Sequence, residues 1–123
     1  MKKYRAIDLY SGIGGWSLGL KMAGIDVVAS YEWWDKANRS NQMNNQHTAT
    51  EIDIRQLCLE DLPKNIDFVV GSPPCTQFSF ANRGGNGDIE DGLKDIAVGS
   101  KVALRSRGTA RSNSPKSPLT FFL

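Results

Sequence analysis

Apolar and polar residues alternate in blocks along the first 71 positions. Tyr4–Leu9 is a short apolar run with the composition of a strand. Trp16, Leu18, Leu20, Met22 and Ala23 then recur at near-helical spacing, and Gly24 is placed to stop that helix. Asp26–Tyr31 predicts a second strand. Asp35–Asn45 predicts a polar helix, against the weak helix preference of Asn38, Asn41, Asn44 and Asn45. Glu51–Ile54 predicts a third, short strand or a strand end. Ile66–Gly71 is the clearest strand, β-branched and aromatic, bounded by Pro63 and by Pro73-Pro74. Strands alternating with helical stretches predict an α/β fold with a Rossmann-like parallel sheet covered on both faces.

The pattern ends near Ile96. Residues 97–123 hold five Ser, two Pro and five Lys/Arg without an acid. They predict a disordered tail, with a closing apolar stretch, Leu119–Leu123, that has no partner element. Residues 1–96 are the expected folded domain.

Composition narrows the picture. A chain of 123 residues with 40% hydrophobic and 23% charged residues suits one small globular domain. That leaves no room for a separate recognition domain. The net charge is +2, yet residues 1–96 carry ten Lys/Arg against thirteen Asp/Glu. The positive surplus lies in the tail, so charge alone does not define a nucleic-acid face. No apolar run approaches the roughly 18 residues of a membrane span. The basic start is followed by only Ala6-Ile7 before Asp8, which predicts a cytoplasmic chain without a secretory leader. Cys58 and Cys75 lack metal-ligand or disulfide-framework spacing, so no metal is expected.

Chemistry concentrates at predicted strand ends. Tyr10-Ser11-Gly12-Ile13-Gly14-Gly15 follows the first strand and opens a helix, where glycines permit close ligand approach and free N–H groups face outward. A tight strand–helix turn is the plainer reading. Glu32 ends the second strand near the offset at which an acid reaches ribose hydroxyls. Trp33 or Trp34 could cover a base, or serve packing. Asp53, at the third strand end, could accept from an amino group, or cap a helix before Arg55. In Gly71-Ser72-Pro73-Pro74-Cys75 two prolines fix how Cys75 projects from the sheet's carboxyl edge. Cys58, between Leu57 and Leu59, reads as a buried structural thiol.

These residues resemble the DNA cytosine-5 methyltransferases. Asp8 to Trp16 is similar to the family's cofactor loop, Glu32-Trp33 with Asn44 downstream to its second motif, Asp53-Ile54 to its third, and Pro74-Cys75 with Phe78-Ser79 to its catalytic loop. The resemblance covers about residues 4–96. It implies S-adenosyl-L-methionine held by Tyr10, Ser11, Gly12, Ile13, Gly14, Gly15, Glu32, Trp33, Asp53, Ile54 and Pro74. It also implies double-stranded DNA as partner, with Cys75 attacking C6 of a flipped-out cytosine so that C5 takes the methyl group.

Departures from the family pattern are equally specific. Thr76 stands where the family has Gln, with Gln77 next, and the Glu-Asn-Val and Gln-x-Arg-x-Arg motifs do not occur in this sequence. A truncated or frameshifted gene is therefore expected, with the isolated fragment inactive. The alternatives are an S-adenosylmethionine-binding stub, or half of a split enzyme that needs a complementing chain. A nicotinamide-binding domain would need a further Gly or Ala in the glycine turn.

Overall fold

The computed structural model describes residues 2–74, 93, 94, 96–98, 101, 102 and 119–122. Strand β1 (Arg5–Leu9), helix α1 (Gly15–Met22), strand β2 (Asp26–Glu32), helix α2 (Asp35–Asn45) and strand β3 (Thr48–Glu51) form two consecutive βαβ units. Two 3-10 turns, Ile54–Gln56 and Leu59–Asp61, lead to β4 (Phe68–Gly71), and Leu119–Phe122 forms β5. The sheet order is β3-β2-β1-β4-β5, all parallel. Strand order reverses at β1, with β2 on one side and β4 on the other. A crevice outside the carboxyl ends at such a reversal is where open parallel sheets bind ligands.

Register separates the two faces of the sheet. Ile7 pairs with Ala29 and Val69, and Leu9 with Tyr31 and Gly71. Ile7, Leu9, Ala29, Tyr31 and Val69 share one face and form the apolar core with Ile54 and Val102. Leu57, Leu59, Leu62 and Val98 pack against that core. The irregular segment after β3 therefore takes the place of a long helix.

The opposite face is polar at its centre. Asp8 pairs with Ser30 there, and both are fully buried. Asp8 Oδ2 accepts from the Ser17 hydroxyl of α1 at 2.8 Å. Ser30 Oγ accepts from Asn41 Nδ2 of α2 at 3.0 Å and lies 2.8 Å from His47 Nε2. Asn45 Nδ2 donates to Asn41 Oδ1 at 2.8 Å and to the Gly14 carbonyl at 3.2 Å. Asn38, Asn41 and Asn45, three of the four asparagines that weaken the helix pattern, thus form its inner face, where their hydrogen bonds offset part of the cost of burying the amides.

Burial pushes the Asp8 carboxyl from 3.8 up to about 6, a rise partly offset by the Ser17 hydroxyl. The folded chain therefore holds this proton more tightly than the unfolded chain. The sign is that stability falls as pH rises from about 4 to about 6, by on the order of 3 kcal/mol, and stays lower above that window. Asp53 and Asp67 have lowered pKa values, so their contributions are lost only as pH falls beneath the ordinary carboxylate range. Asp8→Asn keeps an acceptor for Ser17 and removes the titration. Between pH 4 and 6.5 the wild-type urea midpoint should fall relative to that of this variant, in which burial of His47, which holds its pKa below the usual value, leaves only a pH dependence of the opposite sign. Parallel pH profiles would refute the assignment.

Four sequence expectations are corrected. The third strand is Thr48–Glu51 instead of Glu51–Ile54, because Ala49 and Thr50 pair with Ser30 and Tyr31 and the chain turns at Asp53. Cys58 is exposed: it is extended between Leu57 and Leu59, which turn toward the core. Leu119–Phe122 does have a partner, since Leu119 to Phe122 pair with Phe68 to Gly71 along the free edge of β4. The tail boundary at residue 97 fails for Val98 and Val102, which are helical and reach the core, Val102 with no exposed surface.

Candidate functional site

Parallel pairing brings the ends of β1 to β4 to one edge. Leu9 is level with Tyr31 and Gly71, and Glu32 with Glu51. A cavity of about 320 Å³ opens along this edge, lined by Tyr10, Glu32, Trp33, Asp53, Ile54, Arg55, Ser72 and Pro74. That volume is at the small end for sites that take organic ligands.

Backbone geometry explains why the chain turns here. Tyr10 leaves β1 with a φ of 55°, a left-handed conformation unusual for a tyrosine, and Gly12 and Gly14 follow at 54° and 90°. The Gly14 N–H donates to the Ser11 carbonyl at 2.9 Å, which closes the turn and starts α1. Ser11 is buried, and its hydroxyl has no hydrogen-bond partner among the described residues. Ile13 is exposed, and Ser11 to Gly15 lie outside the cavity lining.

Glu32 ties the edge together. Its Oε2 accepts from the Gly12 N–H at 2.9 Å, while Oε1 accepts from the N–H groups of Trp33 at 2.9 Å and Trp34 at 3.2 Å. One carboxylate therefore holds both the glycine turn and the start of α2. Trp33 lines the cavity with two thirds of its surface open to solvent, whereas Trp34 precedes α2 and is not among the lining residues.

Asp53 takes the capping role of its sequence reading and also borders the cavity. It lines the cavity, and it caps the Ile54–Gln56 turn by accepting from the Arg55 N–H at 3.0 Å. The Arg55 guanidinium also contacts both carboxylate oxygens, with Nη2 to Oδ2 at 2.9 Å. These hydrogen bonds hold the Asp53 carboxyl below its ordinary value, so it is ionised and acts as an acceptor.

Sequence reasoning missed two lining residues. Arg55 reads as an ordinary exposed cation beside an acid. Ser72 reads as a spacer before two prolines, yet its Oγ accepts from the Trp16 indole N–H at 3.0 Å. Its position directly after the strongest strand was the available signal. Asn44 faces solvent and donates to the Ser40 carbonyl, so it takes no part in the cavity. Cys75, with Phe78 and Ser79, lies outside the described residues; Pro74 is the last residue of that loop to be placed.

A parallel sheet reversing at β1, a glycine turn after it and acids at the next two strand ends make this the α/β fold of S-adenosylmethionine-dependent methyltransferases. The S. pombe Dnmt2 methyltransferase structure has this fold, with a TM-score of 0.53 and 32% identity over 59% of this chain and 24% of that one. The profile of the C-5 cytosine-specific DNA methylases matches residues 4–96, and the chain belongs to that family. It is 38% identical over 95 residues to the Type II methyltransferase M.HindV of Haemophilus influenzae, covering 75% of this chain and 30% of that protein. With the Type II methyltransferase M.HgiDI of Herpetosiphon aurantiacus it shares 37% identity over 82 residues, covering 64% of this chain and 26% of the relative. The chain thus spans under a third of the length of these relatives. Among the described residues, no helix is long and apolar enough to cross a membrane.

Proposed function

We propose that this chain is the cofactor-binding and nucleophile-bearing part of a DNA cytosine-5 methyltransferase. The observation that carries the reading is the cavity, in which Tyr10, Glu32, Trp33, Asp53, Ile54 and Pro74 converge from four strand ends. The residues fit S-adenosyl-L-methionine. Glu32 has about four lone-pair directions, and three are taken by backbone N–H groups, which leaves one for a ribose hydroxyl. Ionised Asp53 suits the amino group of adenine, and the open Trp33 indole suits its face. The unpartnered Ser11 hydroxyl is a buried group that a ligand at the turn would satisfy. When bound, the cofactor supplies an electrophilic methyl group.

Cys75 follows Pro74 directly, and its thiolate is the proposed nucleophile toward C6 of a cytosine flipped out of double-stranded DNA. Addition leaves the ring nitrogen in need of a proton. The Glu-Asn-Val motif that carries the family's acid does not occur in these 123 residues. The 123-residue chain is therefore expected to bind S-adenosylmethionine but to leave mixed-sequence DNA unmethylated. A complementing chain carrying the remaining motifs would restore transfer.

Calorimetry with S-adenosylmethionine and a tritiated-methyl transfer assay test the two halves of this reading. Absence of any S-adenosylmethionine binding would reject the cofactor site. Robust incorporation by the chain alone, abolished in Cys75→Ser, would show that residues within the chain already supply the proton.

A further inference from the structure

We propose that the outer edge of β4 is a docking site for an extended apolar strand of a second polypeptide, and that Leu119–Phe122 fills this site within the chain and has to leave before the partner can enter. The partner's identity rests on the reading above: it is the complementing chain. The family match ends at residue 96, and the chain spans under a third of its relatives, so the remainder has to join this fragment somewhere. β4 is the last strand inside the match, and its outer edge is where the sheet can be extended.

The two sides of the sheet differ in chemistry. On one side it ends at β3, whose sequence Thr-Ala-Thr-Glu is polar and closes on an acid. Polar and charged residues on an edge strand discourage further pairing. On the other side, β4 is Phe-Val-Val-Gly, without a charge, and Val69 and Val70 are buried. Uncovered, such a strand presents a row of free N–H and C=O groups beside apolar side chains, the arrangement that recruits an added strand. Phe68 to Gly71 pair with Leu119 to Phe122 in parallel. A parallel neighbour cannot arrive through a tight hairpin from β4, so this edge takes a strand delivered from elsewhere.

The edge is set from the β1 side. The Asp67 N–H donates to the Arg5 carbonyl at 2.9 Å, and the Ser72 N–H to the Leu9 carbonyl at 3.3 Å, so β1 holds β4 at both ends. The Asp67 carboxylate also accepts from the Arg5 N–H at 3.0 Å and from the Lys2 ammonium at 2.9 Å. β5, by contrast, is the outermost strand and lies outside the family match. Its four-residue ladder makes few hydrogen bonds, each of small net worth against water. Such a strand is kept in place by its tether, which makes the pairing intramolecular and holds its effective concentration near the millimolar range. A strand anchored by further contacts of its own can therefore replace it.

The experiment uses the full 123-residue chain and a fluorescent peptide with the sequence of residues 117–123, Ser-Pro-Leu-Thr-Phe-Phe-Leu, followed by anisotropy. The edge is opened by Thr120→Pro and Phe121→Pro in one variant. Directions of successive N–H groups alternate along a strand, so one of the two prolines removes a donor aimed at β4. The opened variant should bind the peptide, half-saturated at about 0.1–1 mM, and at least about tenfold more tightly than wild type. A peptide carrying the same two prolines should bind neither protein. If the opened variant is unfolded, excess peptide should restore the wild-type circular dichroism, because a ligand of the folded chain alone stabilises it. Equal binding to wild type and variant, or neither binding nor rescue, overturns the proposal. So does a variant that dimerises and ignores the peptide, which would put a second copy at the edge. Calorimetry with S-adenosylmethionine on wild type keeps the two readings apart. Cofactor binding without peptide binding rejects the edge alone, and peptide binding without cofactor binding rejects the cofactor site and leaves the edge as a strand acceptor.

Discussion

Gly14→Ala is expected to unfold the chain or bring it close to unfolding, with a loss of about 3–5 kcal/mol. Two independent costs add at this position. At a φ of 90° a side chain is strained, by roughly 1–2 kcal/mol. In addition, a Cβ placed there would fall on the Asn41 and Asn45 side chains. Both asparagines are buried, and together they hold Ser30 and the Gly14 carbonyl. Moving them leaves buried amides unpaired, at about 1–3 kcal/mol for such a group. Small domains have only about 5–15 kcal/mol in total. The neighbouring glycines provide the contrast. Gly12, at 54°, has open space around its Cβ direction, so Gly12→Ala carries only the backbone strain. Gly15 is helical and open, so Gly15→Ala should be neutral or slightly stabilising. Urea midpoints for the three alanine variants should rank in the order Gly15, Gly12, Gly14. A Gly14→Ala midpoint equal to wild type would show that the asparagine cluster does not depend on this glycine.

The glycine turn also shows how far the sequence could be read. Its location between a strand and a helix was legible because the apolar spacing changes on either side of it. Which glycine is indispensable was not, because that depends on asparagines 27 and 31 positions later that fold against it. The same asparagines gave α2 the pattern of a solvent-facing helix. They turn inward because Ser30 and the Gly14 carbonyl offer hydrogen bonds there, and pattern alone does not name a partner. Strand β5 was hidden for a related reason: four residues carry little period of their own, and the ladder bonds come from β4, far back in the chain. At the edge, Tyr10, Glu32, Asp53 and Pro74 could be anticipated, since parallel topology sends successive strand ends to one side. Ser72 and Arg55 could not, because neither residue type signals a ligand. Only the Trp16 indole against Ser72, and the Arg55 fork on Asp53, give them a direction.

Glu32→Ala should affect both the free protein and its affinity for S-adenosylmethionine. In the free protein, three backbone N–H groups lose their acceptor at once: Gly12 in the glycine turn, and Trp33 and Trp34 at the entry to α2. Glu32 is only half-buried, so water replaces part of what is lost, and a net cost of about 2–3 kcal/mol is expected. For the ligand, the remaining acceptor direction disappears, and the turn that shapes the cavity is released. Both effects weaken binding, together by about 100-fold. Glu32→Gln divides them. One amide oxygen can still accept from Trp33 and Trp34, but the NH₂ group then meets the Gly12 N–H, donor against donor. Stability should fall by about half as much as in the alanine variant. Binding should remain nearly as weak, because a ribose hydroxyl now faces a donor where it had an anion. Urea unfolding and calorimetry on the two variants separate the roles. Equal S-adenosylmethionine affinity in wild type and Glu32→Ala would remove Glu32 from the binding site and leave it as the clasp between β2 and the glycine turn.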